Sequence, residues 1–170
     1  MEAKNFQKLV KPNGYQVFLF ICPASIPCNF AIHSWFVCVR NGEISRWEVR
    51  FEKNNRNPNI GKHLHVNSLP SFSGIEIIPY ISKFLWNAKL LNYIEGNENS
   101  AAKNIFNFIE KSKNSYPYRD KYLLWGPNSN TYVQWILNHF PDFNIKLPWN
   151  CFGKNYINKN ATTYDNATEF

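Results

Sequence analysis

The alternation of apolar and polar positions divides the chain into a strand-rich first half and a more helical second half. Residues 15–21 form a run of aromatic and β-branched side chains, too short for a membrane span or a signal-peptide core, that reads as a strand. After a proline-bounded loop at 23–27, residues 31–40 and 44–52 read as two further strands. Between them Asn41-Gly42 is a strong short hairpin signal, a two-residue type I′ turn. That turn sets a register. With Arg40 opposite Glu43, Cys38 faces Ser45, Phe36 faces Trp47 and Ser34 faces Val49. One face then carries Phe36, Cys38, Trp47, Val49 and, further along, Phe51, and is expected to be mostly core. The other carries His33, Trp35, Val37 and Val39 against Arg50, Glu48, Arg46 and Ile44. His33 lies opposite Arg50 and diagonal to Glu48, within reach of a long side chain.

Residues 53–74 are polar and turn-rich, a loop long enough to be functional. Residues 75–86 are apolar and read as a short helix despite Pro79, and 90–94 as a strand. A firmer helix runs from a cap at Asn99 or Ser100 to about Lys113, with Ile105, Phe106, Phe108 and Ile109 inward. Residues 122–125 read as a strand that Gly126-Pro127 ends. A helix then runs to Phe140, where Pro141 stops it. Its apolar face is Val133, Ile136, Leu137 and Phe140, at i, i+3, i+4 and i+7. Asn128 or Ser129 caps it, and one turn back from Val133 the stripe reaches Ser129, so that hydroxyl faces the body of the protein. Residues 143–157 pack back as irregular chain, and 158–170 read as a loose tail. The expectation is one α+β domain over residues 1–157, an antiparallel sheet packed against helices.

Composition narrows the class. A chain of 170 residues that is 44% hydrophobic and 17% aromatic buries a sizeable core. The net charge of +7 admits nucleic acid, an anionic membrane surface or simple solubility as its reason. The cations are scattered, with no basic run and no nucleic-acid motif, which argues against the first. With no membrane span, the chain is expected to be soluble and cytoplasmic, export without a cleavable signal staying open. Cys22, Cys28, Cys38 and Cys151 form no Cys-x-x-Cys pair or zinc spacing and are expected to be reduced, although 22 and 28 are close enough to bridge. His63 and His65 would share a face if they lay on a strand. No acidic residue or Cys completes a metal set, so a surface-loop pair is the plainer account and no metal or cofactor is expected. His139, late in its helix, complements the C-terminal dipole.

Several stretches together resemble a bacterial family known as domain of unknown function 3750. They are Ala31-Ile32-His33-Ser34-Trp35, Arg46-Trp47-Glu48-Val49, Tyr116-Pro117-Tyr118, residues 125–132, Leu147-Pro148 and Gly153-Lys154-Asn155-Tyr156. The Gly-Pro-Asn-Ser-Asn-Thr run at 126–131 is the most specific. The resemblance spans roughly residues 15–156 and implies no function. More distantly, the order His33, Glu48, Ser129 resembles circularly permuted papain-like proteins, the NlpC peptidases and the lecithin:retinol acyltransferase group. These place a His on an early strand, a polar residue on the next and a nucleophilic Cys at the start of a late helix. Asn128-Ser129-Asn130-Thr131-Tyr132-Val133 is similar to the Asn-Cys-Glu-His-Phe-Val run of the acyltransferase group, with Ser in place of Cys. The resemblance implies a permuted papain-like fold and a catalytic set of Ser129, His33 and Glu48. Asn128, Asn130, Arg50 and Trp35 are the candidate binding residues around it. The substrate would be a small molecule, peptide or lipid carrying an amide or ester. The alternative is a binding or effector-type domain that keeps the groove and has lost the chemistry, because a serine needs a well-placed base where a thiol does not. The plainer reading of Ser129 is a helix cap, and of Glu48 a partner for Arg46 or Arg50. Oligomeric state is not legible.

Overall fold

The computed structural model describes residues 3–54 and 59–157. Its centre is a five-stranded antiparallel sheet in the order β4-β3-β2-β1-β7. The strands are β1 (Tyr15–Pro23), β2 (Ile32–Arg40), β3 (Glu43–Val49), β4 (Leu64–Val66) and β7 (Lys89–Gly96). A two-stranded sheet of β5 (Ser73–Glu76) and β6 (Leu85–Asn87) is not hydrogen-bonded to it but packs against β1. The helices are a short α1 (Ala3–Gln7), then α2 (Ala101–Ser115) and α3 (Ser129–His139). The chain is a single compact α+β domain. The expected tail, 158–170, lies outside the described residues.

The β2–β3 hairpin has the expected register, from Arg40–Glu43 through Cys38–Ser45 to Phe36–Trp47. Asn41 and Gly42 both adopt positive φ, 51° and 83°, as a type I′ turn requires. The backbone ladder stops at Phe36–Trp47. Beyond that pair the two strands part, β3 turning its edge to β4 through Trp47–Val66, Glu48–His65 and Val49–Leu64. The parted end is where His33 and Glu48 sit.

Both faces of the sheet are buried, which departs from the expectation of one core face. Val17, Leu19, Phe36, Cys38, Trp47 and Val49 pack beneath α2 and α3, meeting Ile105, Ile109, Tyr132, Val133 and Ile136. On the reverse face Phe18, Phe20, Trp35, Val37 and Val39 are covered by Phe6 of α1 and by Phe72, Ile75 and Ala88 near the small sheet. The second cover is assembled from short, distant pieces that have no helical or strand period long enough to read. Ser100 caps α2, its hydroxyl accepting from the Lys103 N–H.

Four local expectations are corrected. Residues 75–86 are not a helix: Ile77 N–H donates to Phe84 O at 2.9 Å, Tyr80 has φ 68°, and the segment is a hairpin with Pro79 near its tip. Residues 122–125 are not a strand. Leu123 N–H donates to Pro127 O and Gly126 N–H to Leu123 O, a local turn that leaves Leu123, Leu124 and Trp125 exposed. Phe51 is exposed because β3 ends at Val49 and the alternation ends with it. His65 lies within β4 at the sheet edge and His63 immediately precedes that strand, instead of both lying in a surface loop; His63 is buried and its Nδ1 accepts from Glu52 N–H at 3.0 Å.

Candidate functional site

The N-terminus of α3 is built by Asn128, not by Ser129. Asn128 is extended, its Oδ1 accepts from Asn130 N–H at 3.0 Å and Thr131 N–H at 3.3 Å, and Thr131 Oγ1 accepts in return from Asn128 N–H. This reciprocal cap satisfies the orphan donors of the first turn. The Asn128 Nδ2 donates to Leu124 O and Phe152 O at 2.9 and 3.1 Å. Gly153 lies against this side chain with φ +88°, and a Cβ there would come within 2.6–2.9 Å of its amide. Because Asn128 is held from several sides it cannot give way. Gly153→Ala is expected to destabilise the protein by more than about 1 kcal/mol, read from a urea midpoint.

Ser129 is left without capping duty. It is buried, and neither its hydroxyl nor its N–H has a hydrogen-bond partner among the described residues. The cap also decides which backbone donors of the first turn stay free. Asn130 and Thr131 N–H are engaged by Asn128, so Ser129 N–H is the donor left open at the first turn. Asn130 fastens the helix to the strand. Its Oδ1 accepts from Ser34 Oγ at 2.8 Å, and its Nδ2 donates to Ile32 O at 2.8 Å and Phe152 O at 2.9 Å. These bonds to residues 32 and 34 bracket His33. Two carbonyl acceptors also fix which end of the Asn130 amide carries the nitrogen.

His33, Glu48 and Arg46 form a buried chain on the reverse face of the sheet. His33 Nε2 lies 3.0 Å from Glu48 Oε2, and the same oxygen accepts from Arg46 Nη2 at 2.8 Å. Arg46 is fully buried. Its Nη1 donates to Pro70 O and Ser73 O, and its guanidinium lies 4.5 Å from the Trp35 ring. Arg50 approaches the other Glu48 oxygen at 3.4 Å and pairs with Glu76. Burial alone would raise the Glu48 carboxyl. Arg46, the His33 bond and Arg50 outweigh burial and hold the carboxyl well below its usual range. For His33 burial prevails over Glu48 and lowers the imidazole below 6.5. Near neutral pH the pair is therefore a carboxylate and a neutral imidazole. A carboxylate only accepts, so Nε2 carries the proton and Nδ1 carries the lone pair.

These shifts have a sign. Both groups bind protons more weakly folded than unfolded, so the unfolded chain takes up more protons as the pH falls. Stability is expected to fall as the pH drops below 6.5, through His33 together with His63 and His65, whose imidazoles burial also lowers, and then, below 4.5, through Glu48. Urea midpoints across this range check it, and His33→Gln should flatten the upper part of the slope.

One cavity of about 660 Å³ is lined by His33, Arg50, Asn128, Ser129 and Asn130, with Ser68, Glu76 and Tyr122. It brings together all the expected site residues except Glu48, which reaches it through His33, and Trp35. Trp35 is fully buried behind His33, stacked 5.9 Å from its ring, with its indole N–H on Ser71 O. Ser129, on the helix-covered side of the sheet, and His33, on its reverse side, both line this cavity near the start of β2; no hydrogen bond joins them. Among the described residues no group of three His, Cys, Asp or Glu is placed to hold a metal ion. Sequence reasoning missed Asn130 as the tie to β2. A polar residue at an inward position of the first helical turn was the available signal.

The family model described as "Protein of unknown function (DUF3750)" matches residues 15–156. The chain belongs to this family. The match takes in β1, both strands of the hairpin, the α3 cap and the segment of Phe152 and Gly153, so every residue lining the cavity lies inside the family domain. No curated protein and no solved structure matches the chain.

Proposed function

We propose that the cavity is an acyl-transfer site acting on an amide or ester, as a hydrolase or acyltransferase. Ser129 Oγ adds to the carbonyl carbon while its proton passes to His33 Nδ1, directly or through one water. Glu48 keeps the imidazole in the required tautomer and balances the imidazolium that forms. The oxyanion is taken by Ser129 N–H at the positive end of α3. The imidazolium returns its proton to the departing amine or alcohol, and water or a second acceptor then releases the acyl group. The observation that carries this reading is a neutral histidine, oriented by an ionised carboxylate, lining one cavity with a serine that has no capping role. The order of His on β2, carboxylate on β3 and nucleophile at α3 supports a permuted papain-like, NlpC-like architecture for this family.

Labelling by a fluorophosphonate, located by mass spectrometry, tests the reading together with turnover of ester and anilide substrates. Labelling is expected at Ser129. Ser129→Ala is expected to remove turnover by at least about a thousandfold. Its stability should stay within about 0.5 kcal/mol of the parent, since the hydroxyl has no bond to lose. Turnover that survives Ser129→Ala sinks the proposal.

A second reading has a specific observation in its favour: Ser129 and His33 make no hydrogen bond. In that reading the cavity binds a ligand without chemistry. It predicts no labelling and no turnover.

A further inference from the structure

Four loops surround the mouth of the cavity: residues 24–31, 77–84, 121–125 and 146–154. They are joined to one another. Ile26 N–H donates to Ile77 O at 2.9 Å, Ile32 N–H to Asn150 O at 3.1 Å, and Asn150 Nδ2 to Phe30 O at 3.1 Å. The rings of Trp125, Phe30 and Trp149 lie 5.0, 6.1 and 6.3 Å from that of Phe152. Tyr122, Leu124 and Phe152 line the cavity itself, so the rim is continuous with it.

Their outward side chains are unusual for a water-facing surface. Tyr80 is 83% exposed, Trp149 81%, Trp125 63% and Phe30 60%. Isolated exposed apolar residues such as Tyr80 need no explanation, but the connected set of Phe30, Trp125 and Trp149 around Phe152 does. The same four segments contain Lys83, Lys121, Lys146 and Lys154 and no Asp or Glu. Lys154 is turned inward onto Leu147 O and Pro148 O, and Lys146 lines a separate hollow at the C-terminal end of α3 with Leu137, Phe140 and Asn144, whereas Lys83 and Lys121 are exposed. The flanking carboxylates are engaged, Glu76 by Arg50 and Asp120 by Arg119 and Lys62 N–H.

Rings that are apolar in body and polar at the tip, set among lysines without carboxylates, match the interface of an anionic bilayer. We infer that this rim docks on an anionic lipid surface, with Trp125 and Trp149 entering the headgroup region and Lys83 and Lys121 facing lipid phosphates. A two-fold contact between copies of the chain would set lysines against lysines, which disfavours self-association here. The inference does not depend on Ser129 chemistry, since it concerns where the cavity mouth is held.

Co-sedimentation of the whole chain with vesicles tests it. Binding is expected to phosphatidylcholine vesicles containing phosphatidylglycerol, much less to phosphatidylcholine alone, and weaker in high salt. Trp125→Ser with Trp149→Ser keeps the charge and is expected to lower the affinity at least about tenfold. Lys83→Ser with Lys121→Ser should lower it about tenfold or more on anionic vesicles. Lys111→Ser with Lys113→Ser, the same charge change on α2, should leave it unaltered. Circular dichroism confirms that each variant is folded. No binding to the anionic vesicles overturns the inference. So does binding that the tryptophan pair leaves undiminished, or equal loss from both lysine pairs. Self-association abolished by the tryptophan substitutions, without vesicle binding, assigns the face to a second copy and also overturns it.

Discussion

Glu48→Ala is expected to cost about 3–5 kcal/mol of stability, the largest single loss in this fold outside the apolar core. The carboxylate is enclosed, and it is the counter-charge of a guanidinium that is itself fully buried. Removing it strands Arg46 with its positive charge in a low-dielectric layer beneath Trp35, and strands the Nε2–H of His33 as well. The cost is thus set by what is left unpaired, not by the net worth of the ion pair. A drop in melting temperature on the order of 10 °C is expected. Glu48→Ala combined with Arg46→Met should recover part of the loss, because the second change removes the stranded charge. If the single variant melts within a degree or two of the parent, the buried network is not what holds the parted end of the hairpin. Glu48→Gln is a finer probe. It keeps the shape and an acceptor but no longer balances an imidazolium, so any turnover should fall much further than stability does.

This network was half legible in the sequence. The Asn41-Gly42 turn determines which residues share a face, so the sequence alone groups His33, Arg46, Glu48 and Arg50. What alternation cannot report is whether a second layer covers that face. Phe6, Phe72 with Ile75, and Ala88 come from three separate stretches, and only their assembly turns a face with charges into a buried one. Segment 122–125 fails for the opposite reason. Tyr-Leu-Leu-Trp has strand-like composition, yet three of its four side chains face outward. Apolar composition was read as burial where the chain uses it for surface. At 75–86 the proline was the better evidence, and the apolar run around it belongs to a hairpin. The stripe of Val133, Ile136, Leu137 and Phe140 is buried or partly buried as its spacing predicts, because four apolar positions at i, i+3, i+4 and i+7 leave little choice.

The candidate site depends on joining two faces of one sheet. α3 packs on the Phe36 and Cys38 face, whereas His33 belongs to the Trp35 and Val37 face. A nucleophile from the first and a base from the second can serve one cavity only at the end of a strand, where neither is screened by the sheet. β2 begins at Ile32, and the β2–β3 ladder has already opened there. A two-sided arrangement of this kind needs a fastening that sets the helix terminus against the strand start.

Asn130 is that fastening, and its substitution is the second change expected to have a large effect. Asn130→Ala removes the bonds to Ser34, Ile32 and Phe152 and leaves three inward polar groups without their partner. About 2–4 kcal/mol of destabilisation is expected, read from urea midpoints. Asn130→Asp is the sharper test, because it alters charge and donor pattern at constant shape. The Asp could still accept from Ser34, but its second oxygen would face two carbonyl oxygens where an amide N–H₂ had donated. That repulsion, with burial, raises the folded carboxyl above its unfolded value of about 3.9. The folded variant then binds protons more tightly than the unfolded chain, so its stability falls as the pH rises through the folded value. The parent has the reverse slope in the acid range. The deficit of Asn130→Asp relative to the parent should therefore be larger at pH about 7.5 than at pH about 5. Asn130→Ala, with nothing to titrate, should show a deficit of similar size at both. If the two variants follow the same pH dependence, the amide does not donate to Ile32 and Phe152 as drawn. The sharing of one cavity by Ser129 and His33 would then need another cause.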